Sequence, residues 1–382
     1  MRILVVHNAY RQAGGEDAVV ARDVALLRER GHDVATFIEA NDAIGGPFAR
    51  ALVAARATYA TAPRDRLAAM IAACRPDVVH AHNLFPLLSP AIYDACRDAR
   101  VPVVQTLHNY RLICPAATLL RDGRPCELCV TGSAYQAVRY GCYRGSRLGS
   151  LAVARLVEHH RRAGTWSSKV DRFVALSRFA KGRLVAGGLP AELIAVSGNF
   201  AADRGPPDDG AERHGLLYVG RLGEEKGIRV LLAAAARAGV ALRVAGDGPL
   251  APLVRAAAGV TFLGPLAAGA VAAEMARAAA LVVPSLWYEA FPMVLVEAFA
   301  AGLPVLASGL GSLAELVEDG VTGRHVTPGS ADALADAMVW AVANGAVLAG
   351  MGRRARAIYE AEHTPDAAYA RMVAIYRSVG AP

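Results

Sequence analysis

Lysine is scarce in this chain of 382 residues: only Lys169, Lys181 and Lys226 are lysines among its 41 basic residues. Since arginine and alanine are both abundant, we attribute the arginines to a coding bias, so a single arginine carries little information and a lysine within a motif carries more. Charged residues make up 20% of the sequence and hydrophobic residues 54%, a composition that excludes a disordered or fibrous protein.

Long apolar runs are also absent. Arginine, glycine or proline interrupts every alanine-rich apolar stretch well before 18 residues, which excludes a span across a bilayer. The amino terminus leads directly into a strand pattern at Arg2–Val6 and lacks the basic head, apolar middle and small-residue cleavage site of a secretory signal. We therefore expect a cytoplasmic protein.

Apolar runs alternate with helical patterns along almost the whole sequence, which predicts parallel sheets covered by helices on both faces. The length suits two domains. The predicted strands are Arg2–His7, Asp33–Ile38, Asp77–His82, Val101–His108, Gly215–Val219, Ala241–Ala245, Val260–Leu263, Ala280–Pro284, Pro304–Ala307 and Gly323–Val326.

The predicted fold class is α/β, with two doubly wound, Rossmann-like domains that face a central cleft. We expect the first domain at 1–200, with an insertion at about 111–150, and the second at 201–365. The break lies at Gly198–Arg213 and contains the turn cluster Pro206–Gly210. A last helix at 366–382 is expected to pack back on the first domain. Ligands of such sheets bind beyond the carboxyl ends of the strands, so the residues that follow each strand are the candidates for a site.

Positive charge is concentrated in the first half, where 26 basic residues stand against 16 acidic ones. The densest segment, 139–183, has 11 basic and two acidic residues. It is either a solvated face or a patch for an anionic surface. No signature of a nucleic-acid-binding module is present, so we favour an anionic membrane over nucleic acid as the partner.

Two glycines, Gly14 and Gly15, follow the first strand and precede a helix. They allow a ligand to approach the backbone closely at a helix amino terminus, or they form only a tight turn. The spacing in Ala13–Ala18 is not G-x-G-x-x-G, which argues against a nicotinamide or flavin dehydrogenase. His108 ends another strand, where it is either a site residue or a structural histidine, while we interpret His80 and His82 as structural.

The segment Gly220–Gly227 follows a strand of the second half and carries Arg221 and Lys226. Arginine can bind two phosphate oxygens at once and lysine supplies a point charge, so this glycine-rich turn suits a diphosphate. The alternative is a solvent-exposed charged loop.

Two carboxylates follow the strand that ends at Pro284. Glu289 is placed in the turn, and Glu297 lies eight residues further, about two turns into a predicted helix at Phe291–Ala301. The rise between them is only about 12 Å, so both could address one extended ligand. A carboxylate among apolar helix residues needs a partner, which ribose hydroxyls or a buried salt bridge would supply.

These motifs, in this order, resemble the GT-B fold retaining glycosyltransferases of family 4, over nearly the whole chain. That family has a glycine-rich loop after the first strand, a G-R-L-x-x-x-K-G segment and a Glu-x7-Glu motif. The corresponding residues here are Gly14 and Gly15, Arg221 and Lys226, and Glu289 and Glu297. The family's E-G-F-G-L segment reads Glu289–Met293 here, and its Pro292 has no N–H to donate.

The resemblance implies the role of each residue. Arg221 and Lys226 would bind the diphosphate of a UDP or GDP sugar, Glu297 the ribose, Glu289 the transferred sugar, and His108 would lie beside the anomeric centre. Donor-binding backbone groups would come from Gly14, Gly15, Phe291, Pro292, Met293 and Val294. The reaction would retain configuration, by front-face attack of an acceptor hydroxyl, with protein cations in place of a metal ion. No cofactor is required for catalysis.

The resemblance implies an acceptor hydroxyl on a lipid-linked, polysaccharide or small molecule. Alternatives are a GT-B sugar-nucleotide epimerase and a non-catalytic sugar-nucleotide-binding protein. Intact Arg221, Lys226, Glu289 and Glu297 argue against the latter.

Four cysteines follow the His108 strand with the spacing C-x11-C-x2-C-x12-C: Cys114, Cys126, Cys129 and Cys142. In a reducing compartment this spacing favours a structural zinc site over free thiols or disulfides. A similar cysteine-containing stretch after an H-N-Y-R segment occurs in a subset of the glycosyltransferases that the chain resembles.

Overall fold

The computed structural model describes residues 1–11, 14–203, 205 and 213–382, without the side chains of residues 43 and 47–50. The chain divides into two compact units. One comprises Met1–Leu119, Cys126–Gly198 and Tyr369–Pro382, and the other comprises Leu120–Pro125 and Asn199–Ala368. The Pro206–Gly210 cluster, which the sequence predicts as the linker, lies outside the described residues.

The first unit is built on a parallel sheet. The first eight strands of the chain are β1 (Arg2–Ala9), β2 (Asp33–Ala40), β3 (Val78–Ala81), β4 (Val103–Leu107), β5 (Leu120–Arg121), β6 (Arg124–Pro125), β7 (Arg172–Ala175) and β8 (Ile194–Val196). Six of them form the sheet in the order β2-β1-β3-β4-β7-β8, and β5 and β6 form a separate hairpin. Because the order changes direction beside β1, the sheet has the switch point at which doubly wound folds bind ligands.

Nine helices connect these strands within the described residues. They are α1 (Gly15–Glu29), α2 (Pro47–Arg56), α3 (Thr61–Cys74), α4 (Ile92–Asp98), α5 (Leu128–Thr131), α6 (Gln136–Tyr140), α7 (Arg147–Arg162), α8 (Thr165–Ser168) and α9 (Arg178–Ala186). The helix α1 buries Val20, Val24 and Leu27, which share one face at helical spacing, against Ile3 and Val5 of the sheet.

The second unit repeats the architecture. Its strands are β9 (Leu216–Val219), β10 (Leu242–Ala245), β11 (Val260–Gly264), β12 (Ala280–Val283), β13 (Val305–Ser308) and β14 (Gly323–Val326), in the parallel order β11-β10-β9-β12-β13-β14. The remaining helices are α10 (Ile228–Ala238), α11 (Ala251–Ala256), α12 (Ala268–Arg277), α13 (Met293–Ala300), α14 (Gly311–Leu316), α15 (Ala331–Ala343), α16 (Gly345–Ile358) and α17 (Pro365–Ser378), with a π-helical turn at Tyr359–His363.

The end of α17 belongs to the core of the first unit. Tyr376 is fully buried among Ile3, Val5 and Val24, and its hydroxyl bonds His80 Nδ1 of β3 at 2.7 Å. The carboxyl end of the chain thus completes the apolar layer on one face of the first sheet.

The predicted class, α/β with two doubly wound parallel sheets, is confirmed by the two six-stranded sheets. All ten predicted strands are present, with ends that differ by at most two residues. The sequence analysis missed β7, the three-residue strand β8 and the two-residue strands β5 and β6, since the shortest strands give little periodicity.

Within the described residues, no single helix has the length and hydropathy to cross a membrane. One pair of consecutive helical segments, Ala331–Ala343 and Gly345–Ser378, reaches that length and hydropathy when the two are taken together, and a bend of 97° separates them.

Candidate functional site

The two motif loops of the second unit are packed against each other. Gly227 adopts φ of +74°, and a Cβ atom at this position would lie 2.0 Å from the carbonyl oxygen of Pro284. Leu286 also donates its N–H to the carbonyl of Glu225 at 2.9 Å. Only glycine allows this approach, which brings the loop after β9 beside the loop after β12.

A buried polar network joins these loops. Lys226 Nζ donates to Glu289 Oε1 at 2.7 Å, and the hydroxyl of Ser285 donates to the same oxygen at 2.6 Å. The ammonium also lies 5.4 Å from the ring centroid of Trp287. The side chain of Glu289 is 6% exposed and that of Lys226 is 23% exposed. The ammonium is therefore accessible to a ligand, while the buried carboxylate holds the ammonium in position.

The pKa of Glu289 reflects this arrangement. Burial would raise it, but the Lys226 ammonium and the hydrogen bonds from Lys226 and Ser285 lower the pKa below its ordinary value. Glu289 is therefore ionised at neutral pH, and the pair is a charged contact.

Arg221 occupies a different position from Lys226. Its side chain is 62% exposed and donates a hydrogen bond to Glu225, four residues along the same loop. The hydroxyl of Tyr218 fixes the backbone of this loop by donating to the Arg221 carbonyl at 2.8 Å. The structure therefore brings Lys226 and Glu289 together but leaves the guanidinium outside their network.

Glu297 lies half-buried on α13, between fully buried Val296 and Ala298. The helix begins at Met293, so Phe291 and Pro292 belong to the preceding loop instead of the predicted helix. Pro292 is the residue before the first turn, where its fixed φ fits and its missing N–H costs nothing. The first-turn N–H groups of Met293 and Val294 have no partners within the helix and can bind an anion.

In the first unit, histidines gather at the carboxyl ends of β1, β3 and β4. His82 Nδ1 and His108 Nε2 share a hydrogen bond of 2.9 Å, and their rings are stacked with centroids 5.2 Å apart. His80 is bonded to Thr106 Oγ1 at 2.8 Å and to Tyr376, which agrees with its interpretation as structural. His82 is instead the direct partner of His108.

Burial, with smaller contributions from the neighbouring His7 and His80, lowers the pKa of His108 to about 3, while Asp17 opposes them. Burial likewise lowers the pKa of His80 to about 3 and that of His82 well below its ordinary value. His108 is therefore a neutral imidazole at physiological pH, suited to exchanging hydrogen bonds with hydroxyl groups and not to carrying charge.

The turn at Gly14 and Gly15 is held by the carboxylate of Asp17. It accepts the N–H of Gly14 at 2.7 Å and that of Tyr10 at 3.2 Å, and it bonds His7 Nε2 at 2.9 Å. Asp17 thus fixes both the glycine turn and a histidine of the cluster.

Glu16, the residue after this turn, lies near His108. Its Oε2 accepts a hydrogen bond from the Tyr10 hydroxyl at 2.9 Å, and it lines a small cavity of about 40 Å³ together with His82, His108 and Asn109. Burial raises the pKa of Glu16 to about 7.

Sequence reasoning missed Glu16, Asp17, His82 and Ser285. A capping-box signal was available for Asp17, which stands three residues after Gly14 at a helix start. No sequence signal connects His82 with His108 or Ser285 with Lys226, since these contacts depend on how separate loops fold.

The four cysteines of the insertion influence one another electrostatically. Burial, with smaller contributions from Cys114, Cys142 and Cys126, raises the pKa of the Cys129 thiol to about 12. In the part of the chain that the structure describes, however, no group of three or more potential ligands is arranged to hold a metal ion. The structural zinc stays a prediction.

Comparison with known proteins gives two family matches. Residues 13–201 match Glycosyltransferase Family 4, and residues 213–344 match Glycosyl transferases group 1. A glycogen synthase of Mycobacterium tuberculosis is 31% identical over 285 residues, which are 69% of this chain and 59% of that protein. The chain therefore spans somewhat more than half the length of that relative. A phosphatidyl-myo-inositol mannosyltransferase of Mycolicibacterium smegmatis is 27% identical over 379 residues, 93% of this chain and 88% of that protein.

Solved structures share the fold. HepE of Anabaena, solved in complex with UDP, superposes with a TM-score of 0.69 at 19% identity and covers 99% of this chain and 100% of its own. At this identity the likeness establishes the arrangement of strands and helices alone.

Proposed function

Since the chain belongs to glycosyltransferase family 4 and has the GT-B fold, we propose that it transfers a sugar from a nucleoside-diphosphate sugar to an acceptor hydroxyl. The observation that carries this proposal is the buried contact of Lys226 with Glu289, at the carboxyl ends of β9 and β12. It offers one cation and one carboxylate, which match a diphosphate and the hydroxyls of a sugar. The UDP bound to a neighbour of the same fold supports a UDP or GDP sugar as the donor.

The proposed roles of the residues follow from their chemistry. Lys226 and Arg221 bind the diphosphate and stabilise the charge on the leaving group, and the exposure of Arg221 leaves its guanidinium accessible to phosphate. Glu289 accepts hydrogen bonds from the transferred sugar, and Glu297 from the ribose. The first-turn N–H groups of α13 add to the phosphate contacts.

His108 contacts the sugar at the anomeric centre as a neutral imidazole, with the glycine turn at Gly14 and Gly15 beside it. The transfer retains anomeric configuration and proceeds by front-face attack, the departing phosphate accepting the proton of the acceptor hydroxyl. No metal ion is required at the phosphates, because Arg221 and Lys226 supply positive charge.

The release of UDP or GDP from a panel of donor sugars, with and without acceptors, tests the proposal. Acceptor-dependent release is expected, and absence of release with every donor would contradict it. Conversion of a donor to its epimer without an acceptor would favour an epimerase, and binding without turnover a non-catalytic protein. NMR of the product tests retention, and activity in excess EDTA tests independence from metal ions.

The basic segment 139–183 is proposed to dock the enzyme on an anionic inner membrane surface from the cytoplasm. Arg139, Arg144, Arg147, Arg155 and Arg162 are exposed, whereas Arg161 is half-buried and donates to the carbonyls of Gly132 and Cys129. Replacing Arg139, Arg144, Arg147 and Arg155 by alanine is expected to weaken sedimentation with phosphatidylglycerol vesicles. The matched control replaces exposed Arg229, Arg237, Arg353 and Arg354 of the second unit. Equal vesicle binding by both variants would refute the docking site.

A structural zinc at Cys114, Cys126, Cys129 and Cys142 is the remaining proposal for the insertion. Sulfur ligands at this spacing are typical of such sites, and Cys114, Cys126 and Cys142 all influence the Cys129 thiol electrostatically. Metal analysis of the purified chain tests it. Less than a tenth of an equivalent of zinc or iron would remove the proposal.

A further inference from the structure

A second and larger cavity lies in the first unit, with a volume of about 750 Å³. It is lined mostly by apolar side chains of α2 and α7 and of the loops between strands. The large apolar side chains of this lining include Ile44, Val53, Phe85, Leu148 and Val153. A cavity of this size and lining suits a hydrocarbon group better than a sugar chain, since sugars need hydrogen-bond partners on every side.

Three guanidinium groups interrupt the apolar lining: Arg11, Arg111 and Arg144. Arg111 is half-buried, with its guanidinium 4.6 Å from the ring centroid of Phe85 and 5.5 Å from that of Tyr143. Arg144 lies over the same Tyr143 ring, also at 5.5 Å. Tyr143 therefore positions two cations at the wall of the cavity.

None of these three cations forms an ion pair within 4 Å among the described residues. The acidic influence on Arg111 is the Glu16 carboxylate, which favours its charged form from the small cavity. Burial lowers the pKa of Arg111, which reflects the cost of keeping a charge in this place, but an arginine stays protonated. An anionic ligand would offset that cost.

Apolar surface continues outside the cavity. Leu148 lines it and is 81% exposed, and Leu52 of α2 and Leu151 of α7 are 40% and 39% exposed. The two helices are in contact. Together with the cavity lining, these leucines form a continuous apolar surface, which is a feature of membrane-contacting and ligand-binding sites.

The cavity also adjoins the proposed reaction centre. Arg111 and Phe85 line both this cavity and the small one that contains His108 and Glu16. A ligand whose charged group binds Arg111 would therefore direct its next group toward His108.

We propose that this cavity binds the acceptor and that the acceptor is a lipid carrying a phosphate or diphosphate, with its hydrocarbon along α2 and α7 and its anionic group on Arg111 and Arg144. This inference rests on the proposed function and narrows its acceptor to one class, in place of a polysaccharide or a water-soluble molecule.

Isothermal titration of the full chain with farnesyl phosphate, farnesol and inorganic phosphate tests the proposal. Farnesyl phosphate is expected to bind at least tenfold more tightly than either of the others, because only it fills the cavity and pairs with the cations. Arg111→Met and Ala152→Phe should each weaken its binding at least tenfold, the first by removing a charge and the second by filling the cavity. Arg56→Ala, an exposed change on α2 outside the cavity lining, should leave it unchanged.

Binding of UDP and GDP, measured on the same preparations, verifies that the variants fold and separates this proposal from the proposed function. Bound nucleotide without bound farnesyl phosphate would overturn the lipid acceptor alone. Equal affinity for farnesyl phosphate and inorganic phosphate, or for farnesyl phosphate and farnesol, would also overturn it. Farnesyl phosphate bound without any nucleotide would support the cavity and count against the donor site.

Discussion

Lys226 Nζ and Glu289 Oε1 are 2.7 Å apart, although 63 residues separate them in the chain. Each side chain was expected to bind a different part of the donor. Their contact means that they act as a unit in the ligand-free protein, with the carboxylate holding the ammonium in place. Under the proposed function, the donor shares or rearranges this pair when it binds.

Replacing Lys226 by alanine should reduce turnover at least tenfold, because a charge-assisted contact to the diphosphate is lost. Acceptor-dependent release of nucleoside diphosphate measures the effect. Lys169→Ala is the matched control, since it removes another paired lysine, bonded to Asp94, in the other unit. Near-normal turnover of Lys226→Ala would count against the phosphate assignment.

Replacing Glu289 by glutamine should also reduce turnover at least tenfold, because the amide retains the shape but leaves the Lys226 ammonium without its counter-charge. If the two residues act as a unit, the double variant Lys226→Ala/Glu289→Gln loses less than the product of the two single losses, by about fivefold or more. kcat and KM of the four proteins give this coupling. Strictly multiplicative losses would show that the pair acts independently.

Replacing Gly227 by alanine should destabilise the protein and disturb the donor site. The left-handed backbone costs about 1–2 kcal/mol for an L-residue, and the added Cβ would also collide with Pro284 O. Gly239→Ala separates the two effects, since Gly239 has φ of +62° but no atom within 4 Å of its Cβ position. The midpoint of thermal unfolding should fall further for Gly227→Ala, and equal shifts would contradict the close approach of the two loops.

The buried histidines should make the protein sensitive to acid. The pKa of His80 is about 3 in the folded chain and about 6.5 when exposed, so only the unfolded chain takes up a proton as the pH falls from 6.5 toward 3. The free energy of unfolding therefore decreases across this window, by up to about 1.4 kcal/mol per pH unit for each such histidine.

His80→Gln should make this decrease shallower, since glutamine can bond Tyr376 and Thr106 without titrating. Urea unfolding at pH 7, 6 and 5 measures the slope. His159→Gln, at an exposed position of α7, should leave the slope as in the wild type. An unchanged slope in His80→Gln would show that this histidine is already protonated in the folded chain.

Much of the fold and part of the site could be predicted from local patterns. Runs such as Val103–Leu107 and Ala280–Val283 are apolar throughout, as strands covered on both faces must be. The position of Lys226 after β9 and of Glu289 after β12 followed from the same alternation, because strand ends carry the loops. By contrast, β8 has three residues and gave no usable signal.

Local patterns predict the α/β class, the two sheets and the loops on which the motif residues lie, because these depend on periodicity within short segments. Which side chains meet depends on the folded chain: Lys226 with Glu289, His108 with His82, and Arg111 with Phe85 and Tyr143. Such contacts join loops far apart in the chain, and their geometry depends on backbone turns, such as that at Gly227, and on packing between elements that no local pattern contains.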